Sequence, residues 1–196
     1  MIKIGIIGDI GSGKSFVAKQ FGCPVFNADK EVKKIYKKDK KCFTKLNKAI
    51  PKHILSFPID KKEITKSILL NHKNLKKIIK IVHPIVRTKM NKFIYKNKNK
   101  KMIILDVPLL LENKIKKKNY ILVYVDAKKK KIDENLKKRP NYNPRIFNRL
   151  KRLQLSLETK RKKSNYIIKN NFKSFSVKKN VKILKRNILK NERSCS

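Results

Sequence analysis

Apolar positions fall along this chain in two rhythms. Short apolar runs at 2–7 (interrupted by Lys3), 24–26, 102–105, 120–125 and 166–168 have the length and β-branching of buried strands. Between them, apolar residues recur every three or four positions. That spacing predicts helices over 14–21, 30–47 and 60–70. Asp60 and Glu63 stand at capping-box spacing, which fixes the start of the third. Leu75, Ile78, Ile79 and Val82 continue a helical face. Pro84 then predicts a fresh helix, because proline is tolerated at a first helical position. Further helices are expected over 128–138, 144–162 and 177–189, with a charged turn over 97–101. No internal repeat is visible. Strands alternating with helices predict an α/β fold, with a parallel sheet covered on both faces.

Composition bounds this picture. The chain has 196 residues, 40% of them hydrophobic, enough to bury the core of one domain. Five glycines and three cysteines exclude a collagen or a disulfide scaffold, and no apolar run reaches 18 residues. Cys23, Cys42 and Cys195 are odd in number and lack metal-site spacing. A reducing, cytoplasmic setting is therefore expected, with no membrane contact.

Lys+Arg total 55 against 13 acids, a net charge of +42. Only eight of the 55 are arginine, and the lysines run the whole length of the chain. Surfaces that clamp phosphates or read bases favour arginine forks gathered in one place. Lysine, asparagine and isoleucine together point to A/T-rich coding. Nucleic acid is accordingly expected only as an incidental partner at low salt.

The strongest chemical signal is Gly8-Asp9-Ile10-Gly11-Ser12-Gly13-Lys14-Ser15. It fits G-x-x-x-x-G-K-[ST] between a predicted strand and a predicted helix. Glycines let successive backbone N–H groups turn toward phosphate oxygens. Lys14 would meet the β and γ phosphates, and Ser15 would ligate Mg²⁺.

Other residues admit two readings each. Asp29, after the second strand, suits a general base or a helix N-cap. Asp106 ends the apolar run 102–105, as a magnesium-supporting aspartate or a plain strand-end turn residue. His83, near Arg87, is a substrate donor or a structural histidine. His53 and His72 have no supporting pattern. Arg139, Arg145, Arg149 and Arg152 are half of all the arginines, and form either a phosphate clamp or a solvated helix face.

Taken in order, these segments resemble the dephospho-CoA kinase family. The loop is similar to its G-G-I-G-S-G-K-S-T, and 23–29 (C-P-V-F-N-A-D) to its A-P-V-I-D-A-D. Residues 83–87 match H-P-x-[VI]-R, and 106–112 match D-V-P-L-L-[FY]-E. Gln154, Lys160 and 165–170 fall at the spacing of its Q…K…A-D-x-V-I-x-N tail.

The resemblance implies transfer of phosphate from ATP, with Mg²⁺, to the ribose 3′-hydroxyl of dephospho-CoA. It implies a P-loop NTPase-type three-layer fold with a parallel five-stranded sheet, a helical substrate-binding insertion and a lid. Gly11, Ser12, Gly13, Lys14, Ser15 and Phe16 would hold ATP. Lys14, Asp29 and Arg139 would be catalytic, and His83, Arg87, Asp106 and Glu112 would bind the acceptor. A nucleoside-monophosphate kinase and an RNA-stimulated ATPase are the alternatives. One monomeric domain over 1–196 is expected. Its core would span about 1–50, 100–127 and 164–192, its acceptor region about 58–97 and its lid about 128–162.

Five positions depart from the family pattern. Asp9 stands for a usual Gly, Phe16 for Thr, Asn27 for the first Asp of D-A-D, and Ser164-Asn165 for Ala-Asp. In the lid, the usual Gln and first Arg of Q-x-x-R fall near Ile132 and Asn135.

Overall fold

The computed structural model describes residues 1–108, 110–111, 120–139 and 142–194. In chain order its elements are β1 (Ile2–Gly8), α1 (Lys14–Gln20), β2 (Val25–Asn27), α2 (Ala28–Lys38), α3 (Lys40–Ala49), α4 (Lys61–Leu70) and α5 (His72–Lys96). There follow β3 (Met102–Asp106), β4 (Tyr120–Asp126), α6 (Lys129–Lys137), α7 (Pro144–Lys151), α8 (Leu157–Lys162), β5 (Tyr166–Lys169) and α9 (Ser174–Ser194). Two compact units emerge: Met1–Asn27 with Asn97–Tyr142 and Leu153–Ser196, and Ala28–Lys96 with Asn143–Arg152.

The first unit is built on a five-stranded sheet in the order β2-β3-β1-β4-β5, parallel throughout. Isoleucine and valine dominate its strands because their stiff χ1 suits the pleated surface. On one face, Ile4 and Ile6 join Val17, Ala18 and Phe21, with Val177, Val181 and Ile188 from α9. On the other face β1 runs under α8. There, a Cβ at Gly5 would collide with Leu110, so glycine permits the close approach. All five positions of β3 are buried, as a strand covered on both sides requires. Ile4 and Ile104 are fully buried, and truncating either to alanine should cost about 2–5 kcal/mol. Ligands of such sheets sit beyond the carboxyl ends of the strands, where Gly8, Asn27 and Asp106 lie.

In the second unit α2, α3 and α4 pack on α5, and α7 packs on α4. Ile35, Leu46, Ile68, Val82 and Met90 are among its buried side chains. Burial raises the Tyr36 phenol, and the Cys42 thiol is pushed up to about 11 by burial and then by Asp39, with Lys45 opposing.

Four local expectations are corrected. The single helix over 30–47 is two, because Asp39 is extended and caps α3 by accepting the Cys42 N–H at 2.9 Å. The helices either side of Pro84 are one, α5, with the proline inside. A proline removes one N–H bond, which a helix of 25 residues docked on three others tolerates. Residues 144–162 break into α7 and α8, the second started by Ser156 Oγ accepting the Thr159 N–H at 3.1 Å. Asp60 caps α4 as predicted, but Glu63 reaches further back, to the Leu55 N–H at 3.1 Å and the Ser56 hydroxyl at 3.0 Å. In the spatial clustering, 28–49 and 143–152 group with the helical unit.

Candidate active site

β1 ends at Gly8, and the chain turns through Asp9–Gly13 into α1. Gly11 and Gly13 have φ of 88° and 85°, the left-handed region where a Cβ is strained. A side chain at Gly13 would also strike the Asn170 amide, and one at Gly11 would press on Leu136 and Ile132. The turn closes through Ser12 N–H to Asp9 O at 3.2 Å. Asn170, buried beyond β5, braces it by donating Nδ2 to Ser12 O at 2.8 Å. Its Oδ1 in turn accepts the Phe172 N–H at 2.8 Å.

Lys14 is buried, and its ammonium donates to Asp9 O at 2.5 Å and more weakly to Gly8 O at 3.4 Å. Asp9 is buried too. Its Oδ1 accepts the Ile10 N–H at 2.7 Å, which turns the carboxylate onto the backbone. The phenol of Tyr124 on β4 is raised by burial, then by Asp126 and Asp9, with Arg161 opposing. Phe16 contributes its N–H to Gly13 O at 3.0 Å, within the start of α1, and its ring is partly exposed.

Ser15, at the start of α1, donates its hydroxyl to Asp106 Oδ2 at 2.5 Å. The same oxygen accepts Asn27 Nδ2 at 2.5 Å, and Asn27 Nδ2 lies 3.4 Å from Ser15 Oγ. Asp106, buried at the end of β3, is thus tied to the loop. These residues fit a magnesium-bound polyphosphate. Hard oxygen donors suit Mg²⁺. Among the described residues, the buried Ser12 Oγ inside the turn has no hydrogen-bond partner, which suits a loop shaped for an anion.

The other predicted residues lie as follows. Asp29 is in the first turn of α2, inside the helix and exposed, so it is not its N-cap. His83 and Arg87 stand one turn apart on α5, half-buried and exposed respectively. All three belong to the second unit. Arg139 follows α6 in the first unit and is exposed. Arg145, Arg149 and Arg152 belong to the second, so the four arginines do not share one unit. Arg149 donates Nη1 to Ile68 O, a packing role between α7 and α4. Glu112 lies outside the described residues. Among the described residues no cluster of His, Cys, Asp and Glu could hold a metal ion, and no helix is long and apolar enough to cross a membrane.

Two site residues escaped the sequence reading. Asn170 is 158 positions from the loop it braces, and Asn27 is 79 positions from Asp106. The only signal for either was a place in a family segment.

The family model for dephospho-CoA kinase matches residues 2–175. The chain belongs to this family. It is 37% identical over 170 residues to the dephospho-CoA kinase of Wolbachia pipientis wMel, covering 84% of this chain and 87% of that one. With the dephospho-CoA kinase of Bartonella quintana it shares 30% over 193 residues, covering 96% and 98%. Two solved structures support the fold alone. Dephospho-CoA kinase from Campylobacter jejuni aligns with a TM-score of 0.65 at 21% identity, covering 97% of this chain and 98% of that one. A Thermus thermophilus protein gives 0.75 at 24%, covering 96% and 97%. Membership makes the chain a kinase, and the parallel α/β sheet expected from the alternating pattern is the one found.

Proposed function

We propose that this kinase transfers the γ-phosphoryl group of ATP to the ribose 3′-hydroxyl of dephospho-CoA, giving coenzyme A and ADP. The observation that carries the reading is the Ser15–Asp106 bond beneath the glycine turn, in a chain whose family match runs through both units. Phosphoryl transfer needs little covalent help, so positioning and charge neutralisation do most of the catalysis.

Lys14 already sits on two carbonyl oxygens of the loop and would exchange them for phosphate oxygens. Ser15 would hold Mg²⁺, with Asp106 behind it. When bound, that ion neutralises charge on the β and γ phosphates. Arg139 would add a planar cation to the transferring group. Asp29 would orient the acceptor hydroxyl and take its proton. His83 and Arg87 would grip the acceptor. Both substrates are polyanions, so the +42 chain should meet them faster at low salt.

The test is ADP formation from Mg-ATP with dephospho-CoA, AMP, CMP or RNA supplied separately. Turnover with dephospho-CoA alone, absent in Lys14→Ala, is the expected result. Turnover with a mononucleotide or only with RNA would replace the acceptor while keeping the fold.

A further inference from the structure

We infer that Asn27 is a positioning residue, an amide clamp that fixes Asp106 and Ser15 as a cation seat with one carboxylate between the ends of two strands. The inference rests on the nucleotide reading above. It stands on register: Asn27 is the direct partner of Asp106 in the parallel β2–β3 pair. Direct partners in neighbouring strands project to the same side of the sheet, with backbones about 4.8 Å apart. The two side chains are thereby set against one another by the sheet itself.

The hydrogen bonds then decide what each can do. Asp106 is 3% exposed, and a carboxylate so buried needs donors. Its Oδ2 accepts from the Asn27 amide and the Ser15 hydroxyl, each at 2.5 Å. Because the Ser15 proton is directed at Asp106, the hydroxyl presents its lone pairs elsewhere, one of them toward the Asn27 amide at 3.4 Å. Ser15 is exposed, so a cation can reach them from solvent. The amide holds Oδ2 at the place that keeps this direction. It also does so without charge. An aspartate at 27 would set two carboxylates against each other, and an alanine would leave Oδ2 with one donor fewer.

The experiment measures the ADP dissociation constant in excess Mg²⁺ and in EDTA, for wild type, Asn27→Ala and Asn27→Asp. The quantity of interest is the ratio of the two constants, the gain that Mg²⁺ brings. Asn27→Ala should shrink that gain by about tenfold, the worth of one hydrogen bond to a charged group, with ADP affinity in EDTA unchanged. Asn27→Asp should act oppositely: weaker ADP in EDTA by repulsion, and a larger gain from Mg²⁺. A general loosening of the loop would move both constants together, leave the gain constant in both variants, and overturn the inference. Wild-type protein whose ADP affinity ignores Mg²⁺ would overturn the inference and the nucleotide reading together. A wild-type gain that both variants retain would overturn the inference alone.

Discussion

The two units equip their chemistry in different ways. In the sheet unit the groups proposed to act are buried and locked: Lys14, Asp106 and Asn170 are all nine-tenths or more covered, and each has a short bond to the loop or its neighbours. In the helical unit Asp29 and Arg87 are exposed side chains on helix surfaces, and His83 is half-buried. Polyphosphate recognition can be built from backbone, which any strand-turn-helix with glycines supplies. Recognition of a particular acceptor cannot, and relies on side chains that a helix merely displays. The proposed donor half should therefore be sensitive to small changes of shape, and the proposed acceptor half to changes of chemical group.

The largest effects should separate the halves cleanly. Lys14→Ala should lower kcat/KM at least about a hundredfold, as losing a preorganised charge does. Asp29→Asn should lower kcat about 10²–10⁴-fold while the KM for ATP stays within about twofold. Steady-state kinetics with both substrates varied would show this, and a large rise in the ATP KM of Asp29→Asn would blur the division. Next, Arg87→Ala should raise the KM for dephospho-CoA about tenfold and leave that for ATP alone. An equal rise in both would remove Arg87 from the acceptor.

A conservative loss of shape should be felt next. Asn170→Ala removes the brace on Ser12 O and should cost about 1–3 kcal/mol, shared between melting temperature and ADP affinity. Isothermal titration and thermal melts would divide it. Asp9→Gly removes a carboxylate beside a polyphosphate and should lower the KM for ATP several-fold. An unchanged or higher KM would mean that its bond to the Ile10 N–H matters more than its charge.

The smallest effect sharpens the comparison by testing the helical core. The Cys42 thiol, pushed up to about 11, stays neutral at pH 8, and it is fully buried. A thiol whose folded value lies above its unfolded one contributes stability that is complete below about 9 and lost as pH climbs through about 11. Alkylation at pH 8 should therefore mark half-buried Cys23 and spare Cys42 until denaturant is added. Equal rates at the two would show that the helical core opens readily.

What the sequence disclosed follows from range. The strands were legible because a run such as 102–105 is short and apolar at every position, which a sheet covered on both faces favours. The loop was legible because Gly11 and Gly13 report a local need, a left-handed backbone. Asp39 was not, because in a lysine-rich stretch one more polar residue looks like helix surface until its bond to Cys42 is seen. Pro84 misled because its local cost is outweighed by packing that lies elsewhere in the chain. Asn27 and Asn170 act on partners far off in sequence, and no spacing rule reaches so far. Asp29 lost one of its two meanings once α2 was seen to begin at Ala28.

The strand order has a consequence for how the molecule is made. β1 is the centre of the sheet and precedes the other four strands in chain order, yet its partners are β3 and β4. Ile2 pairs with Met102, 100 positions further along the chain. At synthesis rates of about 5–20 residues per second, that is a wait of roughly 5–20 s. During it a run of isoleucines is exposed, of the kind that attaches to other nascent chains. The lysines that follow in α2 and α3 emerge within the same interval. Their mutual repulsion would keep neighbouring chains apart until β3 arrives.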